Sequence, residues 1–251
     1  MTAELIDLNS VPGLVITPPT KADNKFSFLI YGKMKSGKTT LAASAAEIAE
    51  MSPVLLISAE DGSASFGDQY GDKVDVMHPT SAQQVLQLIR QLTEKDSKGN
   101  LVRPTKYKTI VLDTVGAFQK TIQRDYLAKK GSGDFEMWGH IGSWPTEIAD
   151  LLHKSPYNFI MLAHHEKAKD DVEGRLIIMP HMLGKTAIVD IPPIVDGVLY
   201  LAKVEDNEGK PIRVLQTQGT SRIEAGSRYE NKLPAQIENP TMKKIRDYLV
   251  K

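Results

Sequence analysis

The chain of 251 residues contains no cysteine. Disulfides and every thiolate metal site are therefore excluded, and the composition fits a reducing compartment. Long apolar runs are also missing, and Met1 leads into Glu4 and Asp7 rather than a basic and then apolar leader. Neither a membrane span nor a secretory signal is expected, so the cytoplasm is the expected location. An excess of one charge is lacking too, because 31 basic residues face 31 acidic ones. No global field attracts nucleic acid, and any such contact must be made by local groups. Internal repeats and low-complexity tracts are absent. The length suits one sizeable α/β domain and is too short for two complete ones.

What is present is an alternation of short apolar runs with helical patterns. Apolar runs at 26–31, 53–58, 108–113 and 158–163 are nearly continuous in hydrophobicity, as strands covered on both faces should be. Between them, 38–50, 81–95, about 115–130 and 143–153 read as helices. Such alternation implies right-handed crossovers and an α/β fold with a mostly parallel central sheet flanked by helices. Runs at 197–204 and 211–217, joined by the polar stretch Glu205 to Lys210, predict an antiparallel hairpin at one end of that sheet. Residues 1–25, with Pro12, Pro18 and Pro19, read as an extended leader. The core is expected over 26–235, and 236–251 over a C-terminal helix centred on 242–250.

The stretch Gly32-Lys33-Met34-Lys35-Ser36-Gly37-Lys38-Thr39 satisfies the phosphate-loop pattern GxxxxGK[ST] and lies between the first predicted strand and the first predicted helix. Glycines allow a tight turn whose N–H groups converge on one anion, and the following helix adds the positive end of its dipole. Lys38 is expected to reach the β- and γ-phosphates of ATP, the Thr39 hydroxyl to ligate Mg²⁺, and Thr40 to extend the cradle. A glycine-containing turn with an accidental match is the bland alternative.

A second carboxylate beside such a loop holds the water shell of Mg²⁺, and Asp113 ends the apolar run Thr109-Ile110-Val111-Leu112. Its competing role is to cap the helix that begins near Val115. Hydrolysis also needs a group that orients and deprotonates water, and Glu60, just past the second strand, is the candidate, with Asp61 as its rival. His164-His165-Glu166 ends the fourth strand. Adjacent residues on a strand point to opposite faces, so this trio is a poor metal site. One of His164 and His165 is expected to sense the γ-phosphate while the other packs or hydrogen-bonds locally.

Taken in order, Gly32 to Thr39, Ser58-Ala59-Glu60, Ile110 to Val115 and Phe159 to His165 resemble the ATPase core of the RecA family. The resemblance spans about residues 26–235 and implies a RecA-like P-loop NTPase using ATP and Mg²⁺. Within the superfamily the compact chain resembles small phage-encoded members used in recombination and single-strand annealing. It implies that Glu60 activates water and that Asp113 ends the Mg²⁺-holding strand. It departs from RecA in carrying histidine at the sensor position, in lacking room for a separate C-terminal domain, and, through its missing cysteines, from zinc-bearing relatives. Arg228 and Lys232, in Gly226-Ser227-Arg228-Tyr229-Glu230-Asn231-Lys232, match the basic pair that family members insert into a neighbour's nucleotide site. Two mobile DNA-contacting loops are implied at about 127–143, with Lys129, Lys130 and Trp138, and at about 165–187, with Lys167, Lys169, Arg175 and Lys185. The implied partners are single-stranded DNA, further copies of the chain in a ring or filament, and a single-strand binding protein, with no membrane. Two other classes share the motif. A partitioning-type ATPase switch would use Lys33 as its signature lysine, although Met34-Lys35 replaces that family's Gly-Gly. A helicase or helicase loader would share the core.

Overall fold

The computed structural model describes residues 25–59, 66–169 and 174–250, the side chain of Lys185 excepted. Among the described residues ten strands form one sheet: β1 (Ser27–Gly32), β2 (Val54–Ser58), β3 (Val74–Met77), β4 (Thr109–Asp113), β5 (Asn158–Lys169), β6 (Leu176–His181), β7 (Gly197–Glu205), β8 (Pro211–Gln216), β9 (Gly226–Ser227) and β10 (Gln236–Glu238). The helices are α1 (Lys38–Ala43), α2 (Gly67–Tyr70), α3 (Ala82–Thr93), α4 (Val115–Lys130), α5 (Phe135–His153), α6 (Lys185–Asp190) and α7 (Met242–Leu249). The spatial order is β10-β8-β7-β1-β5-β4-β2-β3, with β6 added to the far half of β5 and β9 to the start of β7. From β7 to β3 every pairing is parallel. The hairpin β7–β8 and then β10 continue the sheet in antiparallel fashion.

Every residue of β1, β2 and β4 is buried, which is why these strands are apolar without alternation. Side-chain parity then assigns each strand's residues to one of two cores. Phe28, Ile30, Leu56, Val111 and Leu162 pack under α1 and α7. Leu29, Tyr31, Ile57, Leu112 and Met161 pack under α3, α4 and α5. Helix starts are marked by side chains that accept from orphan amides: Ser81 from Gln84 N, Asp134 from Met137 N and Thr241 from Lys244 N.

Several expected boundaries change. The helix expected over 38–50 is α1 followed by a 3-10 turn over Ser44–Glu47. The helix expected over 143–153 begins instead at Phe135, because Gly139 and Gly142 do not break it. Gly142 lies against Thr186 of α6, where a larger residue would crowd the Thr186 hydroxyl. Pro145 has no N–H to give the carbonyl of Ile141 four residues earlier. That carbonyl accepts instead from the buried Gln119 Nε2 at 2.9 Å, while the Gln119 amide also pairs with both backbone groups of Leu183. The boundary expected at 235 falls inside the sheet, since residues 236–238 form β10 beside β8.

The described parts of the segments expected to be loops are largely helix and strand. Residues 127–143 are the end of α4, a turn with Gly131 at φ 75, and the first half of α5. Of residues 165–187, those described, 165–169 and 174–187, comprise the far half of β5, β6 and the start of α6. Because α5 ends only four residues before β5 begins, its last turn lies at the amino edge of the sheet. A helix of 19 residues is about 28 Å long, so its first turn projects at the carboxyl edge.

Candidate functional site

Gly32 closes β1 with no room for a side chain, since a Cβ there would collide with the Leu201 carbonyl of β7. The chain then turns through Lys35 at φ 61 and Gly37 at φ 97, both left-handed, with Ser36 N donating to Lys33 O at 3.1 Å. Left-handed residues in such a turn bring successive amides to one side, the geometry of an anion nest. Lys33, Met34 and Lys35 are exposed on the lip, while Ser36 and Lys38 are buried. The Lys38 ammonium donates to Gly32 O at 3.1 Å and Lys33 O at 3.0 Å, which holds it across the mouth of the loop.

Parity decides what faces this loop. Ser58, Asp113 and His164 continue the rows of Leu56, Val111 and Leu162, so all three emerge on the α1 face of the sheet. Thr39 Oγ1 donates to Asp113 Oδ2 at 2.7 Å. Thr114, rather than Asp113, occupies the N-cap position of α4, and it makes no side-chain cap hydrogen bond. The topology adds a further constraint. β5 is inserted between β1 and β4, and His164 is in register with Gly32, so its imidazole leaves the sheet between the loop and Asp113.

His165 points to the other face. Its ring stacks on Tyr200 with centroids 6.1 Å apart and planes 6° apart, and its Nδ1 lies 3.4 Å from the Tyr200 hydroxyl. Burial, and then the positive charges of Lys33, Lys167 and Lys38, hold the His165 imidazolium below the ordinary histidine range. Glu166 instead approaches His181 Nδ1 at 3.0 Å.

The residues present fit a magnesium nucleotide. Ser36 Oγ is a buried hydroxyl in the loop with no hydrogen-bond partner, the left-handed turn gathers amides, and the Thr39–Asp113 pair offers the hard oxygen donors that Mg²⁺ takes. No group of three or more His, Asp or Glu side chains suited to a metal occurs among the described residues. Glu60 and Asp61 lie outside the described residues; the described chain reaches Ala59, whose N–H donates to Asp113 O at 2.8 Å.

The remaining sequence-derived residues fall elsewhere. Arg228 follows β9, which pairs with the first residues of β7, so it lies at the amino edge, opposite the loop. Its guanidinium donates to Pro193 O and stands 3.6 Å from Asp196. Lys232 donates to Leu249 O at 2.6 Å, at the carboxyl end of α7. Lys130 is paired with Glu136 at 2.6 Å, while Lys129, Lys167, Lys169 and Arg175 are exposed. Trp138 is 45% exposed and Phe135 96% exposed at the α4–α5 tip, whereas Trp144 is buried against Phe118.

One residue escaped the sequence reading. Arg213 on β8 donates from Nε to Ser36 O at 3.1 Å, across 177 residues of chain. The hairpin that carries it is expected from sequence, but the pairing of β7 with β1, which sets that hairpin beside the loop, is not.

No curated protein sequence matches the chain. Among solved structures it is similar to the RadB recombinase, at 14% identity over 76% of this chain and 79% of that one, with a TM-score of 0.45. It is also similar to a KaiC-like protein of Pyrococcus horikoshii, at 15% identity over 81% of this chain and 83% of the other, with a TM-score of 0.46. The phosphate loop, Asp113 and the inserted strand that carries His164 all lie within residues 24–229, the span that matches the AAA domain family, and the chain belongs to that family.

Proposed function

We propose that the protein is a RecA-like, Mg²⁺-dependent ATPase that acts on single-stranded DNA in annealing or strand pairing. The observation that carries the nucleotide half is the Thr39–Asp113 hydrogen bond beside a left-handed phosphate loop. In this reading the loop amides and Lys38 grip the phosphates, and Thr39 and Asp113 hold Mg²⁺. Held by those two residues, Mg²⁺ would supply positive charge against the negative charge that develops during phosphoryl transfer. Glu60 is the proposed base. His164, by its parity and its register with Gly32, is the better of the two histidines for sensing the γ-phosphate.

Arg228 stands at the opposite edge from its own loop, which supports action on a neighbouring subunit's nucleotide and hence a homo-oligomer. Lys232, already bonded to the end of α7, is the weaker half of that pair. The DNA half is supported by what flanks the carboxyl edge. Lys129, Phe135 and Trp138 project from the α4–α5 tip, and Lys167, Lys169 and Arg175 lie along the β5–β6 hairpin. Cations with exposed aromatics suit a single strand through phosphate contact and base stacking.

The test is ATPase rate and particle mass, each with and without single-stranded DNA and Mg²⁺. DNA-stimulated turnover with salt-sensitive binding is expected. Turnover that responds only to a protein partner would favour a switch, and unwinding or loading would favour a helicase-type role. No turnover with Mg²⁺ under any condition would overturn the enzymatic reading.

A further inference from the structure

We infer that Arg213 is a positioning residue of the phosphate loop: it holds the Ser36–Gly37 peptide so that the Gly37 N–H faces the nucleotide's β-phosphate. This rests on the loop being an ATP site. A trans peptide is planar, with its C=O and N–H on opposite sides. Arg213 Nε binds the carbonyl of Ser36 at 3.1 Å from outside the loop, so the amide of the same peptide is turned away from Arg213 and toward the nucleotide. The guanidinium also occupies the space that a Cβ on residue 37 would need. Glycine is thus required there twice, by this contact and by φ 97.

The same glycine makes the hold necessary. A Ser36–Gly37 peptide without a side chain to restrain it rotates easily, and the reversed peptide would aim a carbonyl oxygen at phosphate oxygens. A guanidinium-to-carbonyl hydrogen bond is charge-assisted and opposes that reversal. Arg213 is itself well braced. Its carbonyl accepts from Asn239 N at 2.7 Å, its N–H donates to Asn239 Oδ1 at 3.4 Å, and its strand is paired with β7 opposite Lys203. The hold is therefore made in cis, by the same hairpin that closes the sheet.

Two substitutions separate the hydrogen bond from the charge. In glutamine the side-chain Nε2 stands the same number of bonds from the backbone as arginine Nε, so Arg213→Gln keeps a neutral donor in place. Arg213→Lys keeps the charge and puts a methylene where the donor was. Calorimetric titration with ADP and with ATP, alongside an unfolding curve, is the measurement. Arg213→Ala and Arg213→Lys should weaken both nucleotides by about tenfold and by the same factor, and Arg213→Gln should recover most of that loss. Wild-type affinity in Arg213→Ala would overturn the inference. So would the reverse pattern, with lysine retaining affinity and glutamine losing it, which would mean that the charge acts on phosphate directly. Because Arg213 is exposed, its loss should leave the fold intact; if the alanine variant unfolds, the Gln–Lys contrast still decides. A wild-type protein that binds neither nucleotide would overturn the ATP reading itself, an outcome distinct from these.

Discussion

Thr39 Oγ1 and Asp113 Oδ2 stand 2.7 Å apart, joining the first turn of α1 to the end of β4. The hydroxyl and the carboxylate are hard oxygen groups at the mouth of the loop, and each fixes the other's rotamer. Replacing Asp113 by Asn keeps the shape and removes the charge. We expect Asp113→Asn and Thr39→Val to raise the Mg²⁺ concentration for half-maximal ATPase by about ten- to a hundredfold, with Thr39→Ser close to wild type. An unchanged Mg²⁺ midpoint in Asp113→Asn would remove the ion from this pair.

The two histidines should separate in kinetics. His164→Ala is expected to lower kcat by about tenfold or more, the loss of one hydrogen bond to a charged group, while leaving ADP affinity unchanged. His165→Phe keeps the stack on Tyr200 and should leave kcat within about twofold of wild type. If the larger loss falls on His165, the parity argument fails.

His165 also predicts a pH dependence of stability. Its folded pKa is lowered, by burial first and by Lys33, Lys167 and Lys38 next. Below the ordinary histidine range the unfolded chain takes up a proton that the folded one resists. Stability is therefore fully present above the unfolded pKa of about 6.5 and is lost as pH falls toward the folded value. Melting temperatures between pH 8 and pH 5 should fall less steeply in His165→Phe than in wild type. Parallel profiles would show that other groups carry the effect.

Gln119 should matter to the fold rather than to chemistry. It satisfies the Ile141 carbonyl orphaned by Pro145 and both backbone groups of Leu183. Gln119→Leu would bury three unpaired groups and should destabilise by about 2–4 kcal/mol in denaturant titration. The double variant Gln119→Leu, Pro145→Ala restores a donor for Ile141 and should recover part of that loss. No recovery would mean that the Leu183 contacts dominate.

The basic residue after β9 gives a mixing test. Arg228→Ala and Glu60→Gln subunits should each be nearly inactive alone, yet mixtures should regain activity, because one subunit keeps an intact base and the other an intact cation. Mixtures that stay inactive would leave action in trans unsupported.

The central strands were legible because burial on both faces leaves few residue types to choose from: β1, β2 and β4 begin or end within one residue of the apolar runs. The turn between β1 and α1 and the place of Asp113 at the end of β4 were legible because the GxxxxGK[ST] pattern has a fixed spacing and an acidic residue closing an apolar run is conspicuous. What failed did so locally. The far half of β5 is not apparent in the sequence because it leaves the core, and its partner β6 is only partly buried and carries Pro180, a residue that argues against a strand. The first half of α5 is not apparent in the sequence because Gly139 and Gly142 read as breakers; at Gly142 the reason is Thr186, distant in sequence, which leaves no room for a side chain. Arg213 carries no pattern of its own; its place follows from the pairing of β7 with β1, which sets the hairpin beside the loop.

The position of Arg228 gives the molecule a polarity. It sits level with Ser27, five residues of extended chain, or about 16 Å, from Gly32 at the other edge. If that cation serves a neighbour, each subunit offers a giving end and a receiving end. Units of that kind join head to tail, and an open row always leaves one site without a cation and one cation without a site. Activity per subunit would then rise with the length of the row, and only a closed ring would leave no subunit idle.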